Sequence, residues 1–226
     1  MNNKNLLKGP SFEPNDKPRK LVFLFHGYGD NGENFISLAK NLNNPKININ
    51  FFAPNAPTIV SQYPLGRQWF ELYPNGIHFN EAGPKEKEMF KKDCHFSLNL
   101  IKLYIKKKCL KYKLTYKDCF IIGFSQGAMI AFEFGMYINS IFAGCVLLSG
   151  RILSSLNYEE SKFSKTPMMI VHGDQDSVLE PRYFIEACKI LQNQHFLFES
   201  YLIKGDEHTI SPEALKLTQN FIKKNV

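Results

Sequence analysis

Nowhere in the 226 residues is there an unbroken run of the roughly 20 apolar residues that a membrane-spanning helix requires. The most apolar stretch, Phe120 to Leu148, is interrupted by Ser125, Gln126 and Glu133, so no transmembrane helix is expected. The opening MNNKNLLKGPSFEPNDKPRK has neither a continuous apolar core nor a small-residue cleavage site. It does not read as a secretory signal, and a cytoplasmic location is expected. No two cysteines have CxxC spacing and no Cys/His cluster suggests zinc. Cys94, Cys109, Cys119, Cys145 and Cys188 are odd in number, far apart and mostly inside apolar segments, as reduced, buried thiols would be. Arginine is scarce as well: only Arg19, Arg67, Arg151 and Arg182 among 28 basic residues. A net charge of +7 therefore argues weakly for nucleic acid, whose specific recognition favours guanidinium forks, and no nucleic-acid partner is expected.

With 44% hydrophobic and 22% charged residues, the composition is that of a globular protein large enough to bury a core without staples. Short apolar runs alternate with helix-period segments. The runs are Leu21 to Phe25, Ile49 to Ala53, Cys119 to Phe124, Ala143 to Leu148, Met168 to Val171 and Phe196 to Ile203. Most read as strands buried on both faces, which predicts an α/β fold: a mostly parallel sheet with helices on both sides. Phe35, Leu38, Ala39 and Leu42, and again Cys94, Leu98, Ile101 and Ile105, form single apolar helix stripes. Ser211, Pro212 and Glu213 announce a last helix with Ala214, Leu217 and Phe221 inward. With no internal repeat and no low-complexity linker, residues 1–226 read as one domain. Residues 1–19 read as an edge hairpin or a mobile arm. Residues 54–84 break the rhythm, with turn formers and the aromatics Tyr63, Trp69, Phe70, Tyr73 and Phe79. Such a segment is either a wall of a binding site or a surface loop packed on its own side chains.

Gly123-Phe124-Ser125-Gln126-Gly127 follows an apolar run and precedes AMIAFEFGMYI. Strand, G-x-S-x-G, helix is the context of a nucleophile elbow, in which a tight turn lifts the serine hydroxyl clear of the sheet. A serine is a poor nucleophile at neutral pH and needs a base oriented by an acid. In a parallel sheet both should leave the carboxyl ends of strands. Two segments qualify: His172-Gly173-Asp174-Gln175-Asp176 and Lys204-Gly205-Asp206-Glu207-His208. Ser125, Asp176, His208 have the chain order of α/β-hydrolases. Among the histidines, His78, His95 and His195 read as surface residues. His26 and His172 each precede a glycine at a strand end and suit loop shaping. His208 lies downstream of both serine and acid and is taken as the base. Asp174 and Asp176 compete for the acid, with Asp206 and Glu207 further off. One Asp in such a turn commonly binds backbone amides, which suits Asp174 and leaves Asp176 for the imidazole. The backbone N–H of Gln126 and one from His26-Gly27-Tyr28-Gly29-Asp30-Asn31-Gly32, assigned to Tyr28, are the expected oxyanion donors. No Gly-Lys-Ser/Thr follows that loop, so a phosphate cradle is disfavoured.

LFHGYGDNGENF, APNAP followed by RQWFEL, GFSQGA, and HGDQD with a later EHTIS stand in this order. Together they resemble the phospholipase/carboxylesterase branch of the α/β-hydrolases, which includes acyl-protein thioesterases, over nearly everything from Leu21 onward. By position, the resemblance puts the nucleophile on Ser125, the acid on Asp176, the base on His208 and the oxyanion amides on Tyr28 and Gln126. It implies an α/β-hydrolase fold and hydrolysis of a carboxylic ester or thioester, with no metal or organic cofactor. The substrate would be a small acyl ester or thioester, an acylated protein or a lysophospholipid. The Trp69 loop resembles the part that lines the acyl pocket in relatives, which assigns Trp69 and Phe70 to substrate binding. Glu71 stands where many relatives have Asp, and Glu180 where they have Pro. Small members of the fold often pair, so a homodimer is an open expectation. Two rival functions are a non-catalytic lipid or ester binder on the same scaffold and a peripheral membrane binder using Lys102, Lys106, Lys107, Lys108, Lys111 and Lys113. For the latter, a merely solvated basic face is the expectation.

Overall fold

The computed structural model describes residues 6–78, 81, 83–153 and 161–226. Phe79 of the aromatic segment and residues 1–5 of the amino-terminal arm lie outside the described residues.

A seven-stranded sheet runs through the molecule in the order β1-β3-β2-β6-β7-β8-β9. Its strands are β1 (Ser11–Phe12), β2 (Lys20–Phe25), β3 (Ile49–Phe52), β6 (Cys119–Phe124), β7 (Gly144–Leu148), β8 (Met168–Gly173) and β9 (Phe198–Ile203). All pairings are parallel except that of β1 with β3. The helices are α1 (Gly32–Phe35), α2 (Leu38–Leu42), α3 (Pro84–Tyr112), α4 (Gln126–Ile138), α5 (Arg182–Asn193) and α6 (Pro212–Lys224). Because side chains alternate along a strand, each central strand feeds two cores. Leu21, Phe23 and Phe25 of β2 join α3 and α4 on one face. Val22 and Leu24 join α1, α2 and α6 on the other.

The sheet departs from expectation at its edges. β1 is an edge strand laid antiparallel on β3, Ser11 opposite Phe52, and not a hairpin with its own neighbour in sequence. Its turn is fixed by Asn15, whose N–H and amide pair with Asn50 and Ile49 of β3. β9 is open on both faces over Ser200, Tyr201 and Leu202, three consecutive exposed residues, as befits the outermost strand. Residues 54–84 divide between the surface and the core. A small antiparallel ribbon of β4 (Thr58–Ile59) and β5 (Arg67–Gln68) stands outside the sheet, and Trp69 and Phe70 turn back into the core.

Strand order reverses between β2, which is followed by β3 on one side, and β6 on the other. The carboxyl ends of β2 and β6 therefore flank a crevice at the topological switch point, where ligands of open α/β sheets bind.

Candidate active site

Ser125 joins β6 to α4 with φ 54 and ψ −119, a backbone state that a residue with a Cβ adopts only when its surroundings impose it. Its N–H is held by Leu148 O at 2.9 Å. The flanking glycines answer to space. A Cβ on Gly123 would lie 2.1 Å from Gly127 O, and one on Gly127 would lie 1.9 Å from Phe25 O. The elbow closes only because both positions lack a side chain, and the second brings α4 against the end of β2.

His208 Nε2 lies 2.9 Å from Ser125 Oγ, and His208 Nδ1 lies 2.7 Å from Asp176 Oδ2. Since a carboxylate accepts, Nδ1 carries the proton and Nε2 is left to accept from the serine hydroxyl. Asp176 and His208 meet because the loops after β8 and β9 pack backbone to backbone. A Cβ on Gly173 would lie 2.2 Å from Asp206 O, and Gln175 N–H donates to that same carbonyl at 2.9 Å. The Phe124 ring lies 4.9 Å from the His208 ring, centroid to centroid, and walls that side.

Among the described residues Asp176, and neither Asp174, Asp206 nor Glu207, bonds the imidazole. Asp174 accepts the Gly205 N–H at 2.7 Å, the backbone role expected of it. Asp176 does such work too. Its Oδ1 accepts from Val178 N and Leu179 N at 3.0 and 2.8 Å, so one oxygen shapes the turn while the other faces His208. His172 closes this turn from behind: its Nε2 donates to Leu179 O at 2.7 Å and lies 3.3 Å from Asp176 Oδ2. Burial pushes the His172 pKa down, favouring the neutral ring.

On the other side of the cleft, Gly29 N–H donates to Arg67 O at 3.0 Å, Arg67 N–H to Asp30 O at 2.9 Å and Asp30 N–H to Gly27 O at 3.3 Å. The ribbon of β4 and β5 thus braces the loop after β2. These bonds occupy the amides of Gly29 and Asp30, while those of Tyr28 and Gln126 have no acceptor among the described residues. Tyr28, Ser125, Gln126 and His208 line one cleft of about 580 Å³.

Trp69 and Phe70 do not line that cleft, a correction to the expectation that they bind substrate. Each is 1% exposed. Trp69 packs edge-on against Phe25, and its Nε1–H donates to His26 O at 2.9 Å. The Gln126 side chain takes the N–H of Trp69 on Oε1 and donates Nε2–H to Phe70 O, each at 2.8 Å. Two large apolar rings close to a strand end gain more from the core than from a wet cleft. They support the site from beneath. The walls come from Tyr63, Tyr73 and Tyr183, with Leu72, Met129 and Leu179 as apolar lining. His78, expected on the surface, also borders this cleft, its ring 5.2 Å from that of Tyr73. No period marks Tyr63, Leu72 and Tyr73, because they come from turns, while Tyr183 stands in the first turn of α5 and Met129 in that of α4. Glu180 forms a 3.0 Å ion pair with Arg182 at the rim, and Glu71 accepts from Gln68 and the Tyr73 N–H.

A serine held by imidazole and carboxylate at the switch point of such a sheet is found here together with a match of residues 12–226 to the family model Phospholipase/Carboxylesterase. The chain belongs to the phospholipase/carboxylesterase family. This makes it an ester hydrolase of the α/β-hydrolase fold. The chain is 26% identical to acyl-protein thioesterase 1 homolog 1 of Dictyostelium discoideum, over 99% of this chain and 98% of that one. It is 30% identical to acyl-protein thioesterase 1 of Candida albicans, over 91% of each chain. Among solved structures, esterase PE8 superposes with a TM-score of 0.83 at 24% identity, covering 98% of this chain and all of that one. The Bacillus cereus carboxylesterase superposes with a TM-score of 0.79 at 15% identity, covering 99% and 96%.

Proposed function

We propose that residues 1–226 form one catalytic domain that hydrolyses carboxylic esters and thioesters through an acyl-enzyme on Ser125, with His208 as general base and acid and Asp176 as its orienting carboxylate. The observation that carries this reading is the relay from Asp176 Oδ2 through His208 to Ser125 Oγ, 2.7 and 2.9 Å long, which opens on the cleft. Ser125 Oγ attacks the acyl carbonyl as its proton passes to His208 Nε2, and Asp176 stabilises the imidazolium and fixes its tautomer. The negative oxygen of the tetrahedral intermediate accepts from the N–H groups of Tyr28 and Gln126. Collapse expels the alcohol or thiol, which takes the proton from His208. Water, deprotonated by the same ring, then releases the acid.

Full-length similarity to the acyl-protein thioesterases of Dictyostelium discoideum and Candida albicans supports an acylated protein as the substrate. Lysophospholipids and small acyl esters offer the same carbonyl. All five cysteines are free thiols, which supports a reducing compartment, the cytoplasm. No helix among the described residues is long and apolar enough to cross a membrane.

Ser125→Ala should lower turnover of p-nitrophenyl butyrate and of an acyl thioester by about 10⁴-fold or more and abolish labelling by a fluorophosphonate probe. Asp176→Asn should slow acylation greatly, whereas Asp174→Asn should mainly loosen the fold. Near-normal turnover by Ser125→Ala would refute the assignment of the nucleophile, and a wild type that neither labels nor turns over would leave only the non-catalytic binder.

A further inference from the structure

His26, the first residue after β2, is fully buried and both ring nitrogens are engaged. Nε2 lies 3.0 Å from the Ala56 N–H and must accept from it, so the ring proton is on Nδ1, which donates to Gly27 O at 2.8 Å. Burial holds the ring's pKa below its ordinary value, favouring this neutral form. Its own carbonyl is fixed by Trp69 Nε1.

The Gly27 carbonyl and the Tyr28 N–H belong to one peptide unit. In a planar trans unit they point in opposite directions, so fixing the oxygen fixes the N–H. That unit lies against the nucleophile: a Cβ built on Gly27 would stand 3.5 Å from the Cβ of Ser125. Glycine offers little resistance to rotation of its peptide, and a flipped unit would present a carbonyl oxygen where negative charge develops. The one other donor to Gly27 O among the described residues is Asp30 N–H, at the longer distance of 3.3 Å.

We propose that His26 is a positioning residue that locks the Gly27–Tyr28 peptide, its Nδ1–H clamping the carbonyl so that the Tyr28 N–H faces the acyl oxygen bound at Ser125. The oxyanion site is thereby formed before substrate arrives, and no reorganisation is needed during the reaction. This inference rests on the reading of Ser125 as nucleophile.

Two amide substitutions separate the ring's two bonds. The side-chain nitrogen of His26→Asn stands where Nδ1 stands and keeps the donor to Gly27 O while losing the acceptor for Ala56. His26→Gln reaches the Nε2 position and keeps the acceptor while losing the donor. Each forfeits one hydrogen bond, so a merely structural role lowers stability and activity alike in both. The lock instead requires that Asn rescue and Gln not. His26→Gln should lose about 10²-fold in kcat on p-nitrophenyl butyrate with KM little changed, as for a missing oxyanion donor. It should lose a similar factor in affinity for an aryl trifluoromethyl ketone, which binds serine hydrolases as a tetrahedral oxyanion. His26→Asn should stay within a few-fold of wild type in both. Equal losses, or the reverse order, would overturn the lock. Nitrogen NMR of the wild-type enzyme provides a reading that no substitution can disturb: Nδ1 protonated and Nε2 bare is the expected state, and a protonated Nε2 overturns it. Fluorophosphonate labelling separates the two levels. An unlabelled wild type sinks the nucleophile assignment, whereas a labelled wild type with no Asn/Gln split sinks only the role of His26.

Discussion

Glu133 is a carboxyl 2% exposed inside α4, eight residues beyond Ser125. Burial pushes its pKa up to about 8, against which the Leu153 N–H is the opposing hydrogen bond, and its Oε1 has no partner among the described residues. The folded state therefore keeps a proton that the unfolded chain releases near the ordinary carboxyl value of about 4.5. Stability from this group is full below about pH 4.5 and is lost as pH rises through about 8, a few kcal/mol in all. Glu133→Gln does not titrate. In urea denaturation across that range, wild type should lose ground steadily to Glu133→Gln between those pH values and run parallel outside them; curves parallel throughout would show Glu133 to be ionised in the fold. At this scale the sequence was legible where chemistry is local. G-x-S-x-G marked Ser125, and Asp176 was separable from Asp174, although the premise that only one of them binds amides did not hold, since Asp176 uses both oxygens. Trp69 was not legible, because nothing in a turn-rich segment tells a ring that lines a cleft from one that supports it.

Among elements, the close contact of α4 with the end of β2 governs the elbow. An alanine at Gly127 would set its Cβ 1.9 Å from Phe25 O, a backbone atom that moves only if β2 moves. At Gly27 the nearest atom would be 3.4 Å away on a Phe124 side chain, an ordinary contact. Gly127→Ala should therefore cost about 3 kcal/mol or more and Gly27→Ala well under 1, read as shifts of the urea midpoint at constant m-value. Comparable shifts would mean that helix and strand are not so closely packed. Elements carrying a sustained period were legible in advance: the two-sided apolar runs of β2, β6, β7 and β8, and the stripe of α3. The ribbon of β4 and β5 was not. Its strands are two residues each and owe their place to Arg67, whose backbone pairs with the loop after β2, a contact distant in sequence. Nor was the exposure of β9, since an apolar run does not reveal which strand ends the sheet.

For the whole molecule, strand order decides where chemistry can occur, and net charge decides what the surface attracts. The +7 charge is concentrated in part on α3 and the turn after it, where six lysines raised the alternative of a lipid-docking face. Three of the six are committed to this chain. Lys102 lies 5.5 Å from the Tyr137 ring centroid, Lys108 lies 4.4 Å from that of Phe52, and Lys111 pairs with Glu13 at 2.6 Å. Hydrogen bonds from Lys111, Ser11 and Tyr112 outweigh burial at Glu13 and hold its carboxyl down at about 2, so the Lys111 pair persists through the physiological range. Lys106, Lys107 and Lys113 remain, each worth about 1 kcal/mol at an anionic surface before screening. About 3 kcal/mol corresponds to roughly a hundredfold preference, too little to hold the enzyme on vesicles at physiological ionic strength. With phosphatidylcholine/phosphatidylserine vesicles it should remain in the supernatant after sedimentation, and Lys106→Glu/Lys107→Glu should behave identically. Salt-sensitive pelleting that this double substitution removes would establish a membrane-facing helix. The enzyme would then meet its acylated substrates at the bilayer and not after their release from it.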